Sequence, residues 1–139
     1  MNYDVLLFPG YWENVAKMST RRFSPGMAVL NDKIYVAGGF GNLDHGSVCG
    51  VALSSVECFD PRTHTWSSVA NMNTARYGHA LVSCHGKLFA IGGRDADRNY
   101  FENVEVYDPS TDTWTELQQK LEGKVAYTGA SIILKYTLM

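Results

Sequence analysis

The 139-residue chain has little charge imbalance, little cysteine and no long apolar run. Twelve basic residues against fourteen acidic ones leave −2, so there is no electrostatic case for nucleic acid, which needs a basic surface. Cys49, Cys58 and Cys84 are too few, and odd in number, for a disulfide framework. No Asn-x-Ser/Thr acceptor site occurs. The one N-terminal apolar run, Val5 to Phe8, follows Asp4 rather than basic residues and fits neither a signal peptide nor a membrane span. A cytoplasmic, reducing setting is expected, with no membrane partner. With 45% hydrophobic and 19% charged residues, disorder is excluded as the main state.

Signatures of chemistry are equally thin. Gly38-Gly39-Phe40-Gly41 lacks the Gly-x-Gly-x-x-Gly spacing and the following Lys-Ser/Thr of a phosphate loop. No nucleophile elbow or His-based triad is visible. His45, Cys49, Cys58 and His64 fit no common zinc spacing. No catalytic residue, metal or cofactor is therefore expected.

What the chain does have is a repeat. Lys33-Ile34-Tyr35-Val36-Ala37-Gly38-Gly39 recurs as Lys87-Leu88-Phe89-Ala90-Ile91-Gly92-Gly93, 54 positions on from Gly38 to Gly92. Val56-Glu57-Cys58-Phe59-Asp60-Pro61 recurs as Val104-Glu105-Val106-Tyr107-Asp108-Pro109, 48 positions on from Glu57 to Glu105. Trp66 and Trp114 share the shorter offset, Arg22 and Arg76 the longer. The difference lies in a longer first loop, Gly41 to Ser54. The register places Cys58 on an apolar core position and His64 in a turn. Cys84 matches Leu30 and reads as a buried hydrophobe, and His79 reads as a satisfied scaffold histidine.

Each unit predicts four short strands, a to d. Strand a is Ala28–Leu30 or Ala80–Cys84, and b is the run from Lys to Gly-Gly. Strand c ends at Phe59 or Tyr107, and d is centred on Trp66 or Trp114. Asn31-Asp32 and His85-Gly86 suit two-residue hairpin turns, and the Asp-Pro segments suit turns between c and d. The paired glycines (Gly38, Gly39, Gly92, Gly93) leave room where backbones crowd, while Trp66 and Trp114 fill gaps between sheets. Glu57 and Glu105 lie among apolar neighbours, where an unpaired carboxylate is costly. Each is expected to pair with a repeat arginine, Arg22 or Arg76.

These residues together resemble the kelch repeat, which implies an all-β fold of kelch-type propeller blades. The expected division is 1–21, the distorted c–d end of a preceding blade carrying Tyr3-Asp4 and Trp12; 22–69, repeat one; 70–117, repeat two; and 118–139, the start of a truncated third repeat. Two full four-stranded blades with partial strands at both ends make an incomplete propeller, expected to self-associate or to take its missing blades from a longer chain.

In such a meander the b–c and d–a loops share one face, which here carries the length difference and the divergent residues. That face is the expected partner surface: Phe40, Asn42, Asp44 and His45 in repeat one; Arg94, Asp95, Asp97, Arg98 and Tyr100 in repeat two; and Ser24 and Tyr77 from the d–a connections. The resemblance implies contacts at Phe40, Asn42, Arg94 and Ser24 in particular, whereas Ala96 and Gly78 offer little in the matching slots. It further implies a protein-interaction module, such as the substrate-binding part of a BTB-kelch ubiquitin ligase adaptor of the cullin type. An actin-binding kelch protein and a fragment of an oxidase-like kelch enzyme are the alternatives.

Overall fold

The computed structural model describes residues 4–8, 11–41 and 50–123, and among them there are twelve strands and no helix. β1 (Asp4–Phe8) and β2 (Tyr11–Asn14) form an antiparallel pair. β3 (Gly26–Leu30), β4 (Lys33–Ala37), β7 (Val56–Asp60) and β8 (Thr65–Val69) form one sheet in that spatial order. Between β4 and β7 projects a short arm, β5 (Phe40–Gly41) with β6 (Val51–Ala52). The second sheet repeats the meander with β9 (Ala80–Cys84), β10 (Lys87–Ile91), β11 (Val104–Asp108) and β12 (Thr113–Glu116).

Local chemistry explains the turns. Asn31 and Asp32 have φ of 51° and 59°, and His85 and Gly86 have 47° and 73°, so both a–b hairpins close through two left-handed residues. The Asp60 carboxylate accepts the Arg62 amide, and Asp108 that of Ser110, both at 2.9 Å. Lys33 reaches Asp60 at 3.2 Å and Lys87 reaches Asp108 at 2.9 Å, which ties the a–b and c–d turns together at one end of each sheet. Strand b ends at Ala37 and Ile91, two residues earlier than expected, because Gly38 and Gly39 take φ of 61° and 100°, and Gly92 and Gly93 take 64° and 86°. These are left-handed conformations, which glycine adopts without a Cβ penalty.

The core lies between the two sheets. Leu30, Tyr35, Ala37, Val56 and Cys58 of the first meet Leu81, Leu88, Ala90, Tyr107 and Trp114 of the second, with Met72 from the connection. Burying a side chain such as Leu88, fully enclosed here, stabilises by about 1.5–3 kcal/mol. At Gly26, β3 packs tightly on the start of the second repeat: a Cβ there would stand 2.6 Å from His79 Nε2 and 2.7 Å from Leu81 Cβ.

Each sheet is also bolted to the segment that precedes it. Trp66 Nε1 donates to the Ala16 carbonyl at 2.7 Å, and Trp114 Nε1 to that of Ala70 at 2.9 Å. Repeat two adds a link that repeat one lacks. Asp112 accepts the Tyr107 hydroxyl at 2.8 Å and the Ala70 amide at 2.9 Å, whereas the matching Phe59 and His64 meet only edge to face, 6.4 Å apart.

Several expectations change. The N-terminal end gains strand bounds, Asp4–Phe8 and Tyr11–Asn14, with Phe8 paired to Tyr11. Cys84 is half-buried, on the outer face of the second sheet, and Trp66 is half-buried where Trp114 is enclosed. His79 is 5% exposed, but neither ring nitrogen has a hydrogen-bond partner among the described residues; it is packed, not satisfied. The strand expected within 124–134 lies outside the described residues, as does Tyr3.

Candidate functional site

Under the b–c loops, each repeat arginine is fixed from below. The Arg22 guanidinium donates to Glu57 Oε2 through Nε at 3.3 Å and Nη2 at 3.0 Å, and to the Gly38 and Ser55 carbonyls at 2.8 and 2.9 Å. Arg76 donates to Glu105 Oε1 at 2.7 Å, to the Gly92 carbonyl at 2.8 Å and to Asn103 Oδ1 at 3.0 Å. The side chains of this second pair are fully buried. The Arg76 cation also lies over the Phe101 ring, 5.2 Å from its centroid. The expected arginine–glutamate pairing is thus present in both repeats.

The carboxylates have a second duty. Glu57 Oε1 accepts the Ser19 amide and hydroxyl at 2.7 and 2.8 Å. Glu105 accepts the Asn73 and Thr74 amides at 2.6 and 3.0 Å. Burial would raise the Glu57 pKa, but the Ser19 hydrogen bonds and Arg22 outweigh it and hold the carboxyl below its ordinary value. One ion pair therefore joins the Gly-Gly corner, strand c and the incoming connection.

Above these bolts, the d–a and b–c segments of each repeat meet on one face. Phe23 and Phe40 exchange backbone hydrogen bonds at 2.8 and 2.7 Å, and Tyr77 and Arg94 do the same at 3.0 and 3.1 Å. Phe40 and Arg94, the residues after the paired glycines, hence occupy equivalent seats. Ser24 and Gly78 are both left-handed, at φ of 49° and 63°, and the Gly78 amide donates to the Ser24 carbonyl at 2.9 Å.

The side chains form a stack across the two repeats. The Phe40 ring lies 5.0 Å from that of Tyr77. The Arg94 guanidinium lies 4.9 Å over Tyr77 and 5.9 Å over Tyr100. Phe23 at 67%, Tyr100 at 41% and Val51 at 38% exposure are apolar groups open to solvent here, while Tyr77, expected to present itself to a partner, is 8% exposed and supports its neighbours from beneath. Asp95 holds the repeat-two loop shut by accepting the Asn99 amide at 2.8 Å and its side-chain amide at 2.9 Å, and these bonds lower its pKa. The tip of that loop, with Asp97 and Arg98, is exposed, and Arg98 is left-handed at φ 68°. Beside it opens a cleft of about 380 Å³ lined by Tyr100, Phe101, Glu102, Asn103, Glu116 and Lys120.

Of the expected surface residues, Phe40, Arg94, Tyr77 and Ser24 come together, and Asp95, Asp97 and Arg98 form the neighbouring loop. Asn42, Asp44 and His45 lie outside the described residues. Sequence reasoning missed Gly50, which packs under the Phe40 ring; its only signal was a glycine closing the long loop. Among the described residues no group of His, Cys, Asp and Glu is placed to hold a metal ion. Nor do they include a helix long and apolar enough to cross a membrane.

The profile of the family described as Kelch motif matches residues 21–73 and 75–120, more than half of the chain. The chain belongs to the kelch-repeat family. Among curated kelch proteins, Kelch-like protein 25 of Xenopus tropicalis is 33% identical over 129 residues, covering 88% of this chain and 21% of that protein. Kelch-like protein 28 of Homo sapiens is 38% identical over 85 residues, covering 60% and 15%. The chain thus spans about a fifth of the length of such relatives. The solved structure of YjhT shares the fold at a TM-score of 0.74 and 18% identity, over 84% of this chain and 44% of that one. The two four-stranded sheets are kelch-type β-propeller blades.

Proposed function

We propose that the chain contributes a protein-recognition face, built from the b–c and d–a loops of adjacent kelch blades, and that it binds without an enzymatic step. The observation that carries the reading is the stack of Phe40, Tyr77, Arg94 and Tyr100. Aromatic and arginine side chains held in fixed geometry lose little entropy on binding and dominate the energetics of protein interfaces. Exposed Phe23 and the Asp97–Arg98 tip extend the surface on either side.

Within a longer kelch protein this face would recruit substrates to a cullin-type ubiquitin ligase, a reading supported by the similarity to Kelch-like proteins. The setting proposed is the cytoplasm. Binding of actin is the second reading, and it uses the same face. Co-purification of a cullin with the full-length protein supports the first, and co-sedimentation with filamentous actin the second. For the face itself, Arg94→Glu and Arg98→Glu are expected to weaken the captured partner at least tenfold, while Asp32→Lys in the opposite a–b turn leaves it unchanged. The reverse pattern overturns the choice of face. Asp112 is no control, because it bonds Tyr107 and Ala70.

A further inference from the structure

We infer that Phe40 is a positioning residue through which repeat one, at its Gly50–Ala52 segment, sets how repeat two presents Arg94. The chain of contact begins at Gly50. A Cβ there would run into the Phe40 ring, meeting Cε1 and standing 2.7 Å from Cδ1, so the absent side chain is what leaves room for the ring against Gly50. Phe40 is held at its other end by the reciprocal bonds to Phe23 and by pairing with Ala52. Seated this way, its ring meets Tyr77 at 5.0 Å with the planes tilted by 57°.

Tyr77 belongs to the second repeat's connection, and it is buried. Its ring is enclosed by Phe40 on one side and carries the Arg94 guanidinium at 4.9 Å on another. Arg94 in turn lies 5.9 Å from the Tyr100 ring, and the Arg94 backbone bridges both Tyr77 and Tyr100. Ring pairs and cation–ring pairs of this kind are each worth a factor of about 2 to 10 in an equilibrium constant. The stack crosses the blade boundary, so the seat of Phe40 in one repeat bears on the recognition residue of the next. This inference concerns the free protein and holds whichever partner the face binds.

The test is a double-mutant cycle combined with NMR of the unliganded protein. Urea unfolding of Phe40→Leu, Arg94→Gln and the double variant is expected to be non-additive by more than about twofold in the unfolding constant, as for residues that share a packed neighbour. In Phe40→Leu the Arg94 Nε–Hε and Tyr100 ring signals are expected to shift, and Phe40→Tyr restores them. Gly50→Ala, which lifts the ring without removing it, moves the same signals and serves if Phe40→Leu does not fold. Additivity within twofold, or Arg94 and Tyr100 signals unchanged in these variants, overturns the inference. No ligand enters the measurement, so a failed capture experiment does not touch it.

Discussion

His79 gives the seam between the blades a defined response to pH. Its imidazole sits in a slot that glycines leave open: a Cβ on Gly26 would be 2.6 Å from Nε2, and one on Gly38 would be 2.9 Å from Cε1. Behind it, Gly93 would place a Cβ 2.8 Å from the histidine's own Cβ. The charged group that bears on the ring is Arg76, itself paired with Glu105. Burial, and then the Arg76 charge, lower the His79 pKa from 6.5 to about 3. Folded protein therefore keeps the ring neutral where the unfolded chain would protonate it. The stability associated with the neutral ring is fully present above pH 6.5 and is lost progressively as the pH falls toward 3. At pH 5 the gap between unfolded-state pKa and pH is about 1.5 units, which is about 2 kcal/mol. Urea unfolding at pH 7.5 and pH 5.0 measures it. His79→Asn removes the titration, so the variant loses about 2 kcal/mol less than the parent between the two pH values, whatever its packing cost at either. The remaining histidines are common to both proteins and cancel. Equal losses in the two proteins would refute the assignment.

Three further outcomes are expected in the same unfolding assay. Arg76→Met leaves Glu105 buried without its cation and costs about 3–5 kcal/mol, whereas pairing it with Glu105→Leu recovers part of that loss. Tyr107→Phe removes one hydrogen bond to Asp112 at a cost of about 1 kcal/mol, and Asp112→Ala costs more, because the Ala70 amide loses its acceptor as well. Gly86→Ala costs about 1–2 kcal/mol for its left-handed backbone, since nothing lies within 4 Å of the added methyl. Gly38→Ala costs at least twice as much, because there the methyl also strikes the Arg76 carbonyl and comes within 2.8 Å of Met72 Cε.

The repeat made much of the scaffold legible. Two matched runs at known offsets imply matched sheets, and the dipeptides Asn31-Asp32 and His85-Gly86 carry the dihedral signal of their turns. The arginine–glutamate pairs were legible for a different reason: a carboxylate in an apolar strand requires a cation, and each repeat supplied one. The N-terminal c–d pair was legible only as a distorted blade end, without strand bounds, because no Asp-Pro turn marks it. The burial of Tyr77 and the seat of Phe40 on Gly50 depend on contacts between loops of different repeats, and no periodicity encodes those. That the His79 ring has no hydrogen-bond partner among the described residues depends likewise on a slot made by three separated glycines.

The two indole hydrogen bonds have an optical consequence. Trp66 and Trp114 are attached by Nε1 to carbonyls of the preceding connections, Ala16 and Ala70, and not to their own sheets. Indole emission responds to local changes in hydrogen bonding and hydration. Fluorescence from Trp114, enclosed at 6% exposure, thus reports the parting of one blade from the segment before it, and circular dichroism reports the melting of the sheets. A temperature ramp in which the first signal moves ahead of the second would show the blades coming apart as intact units.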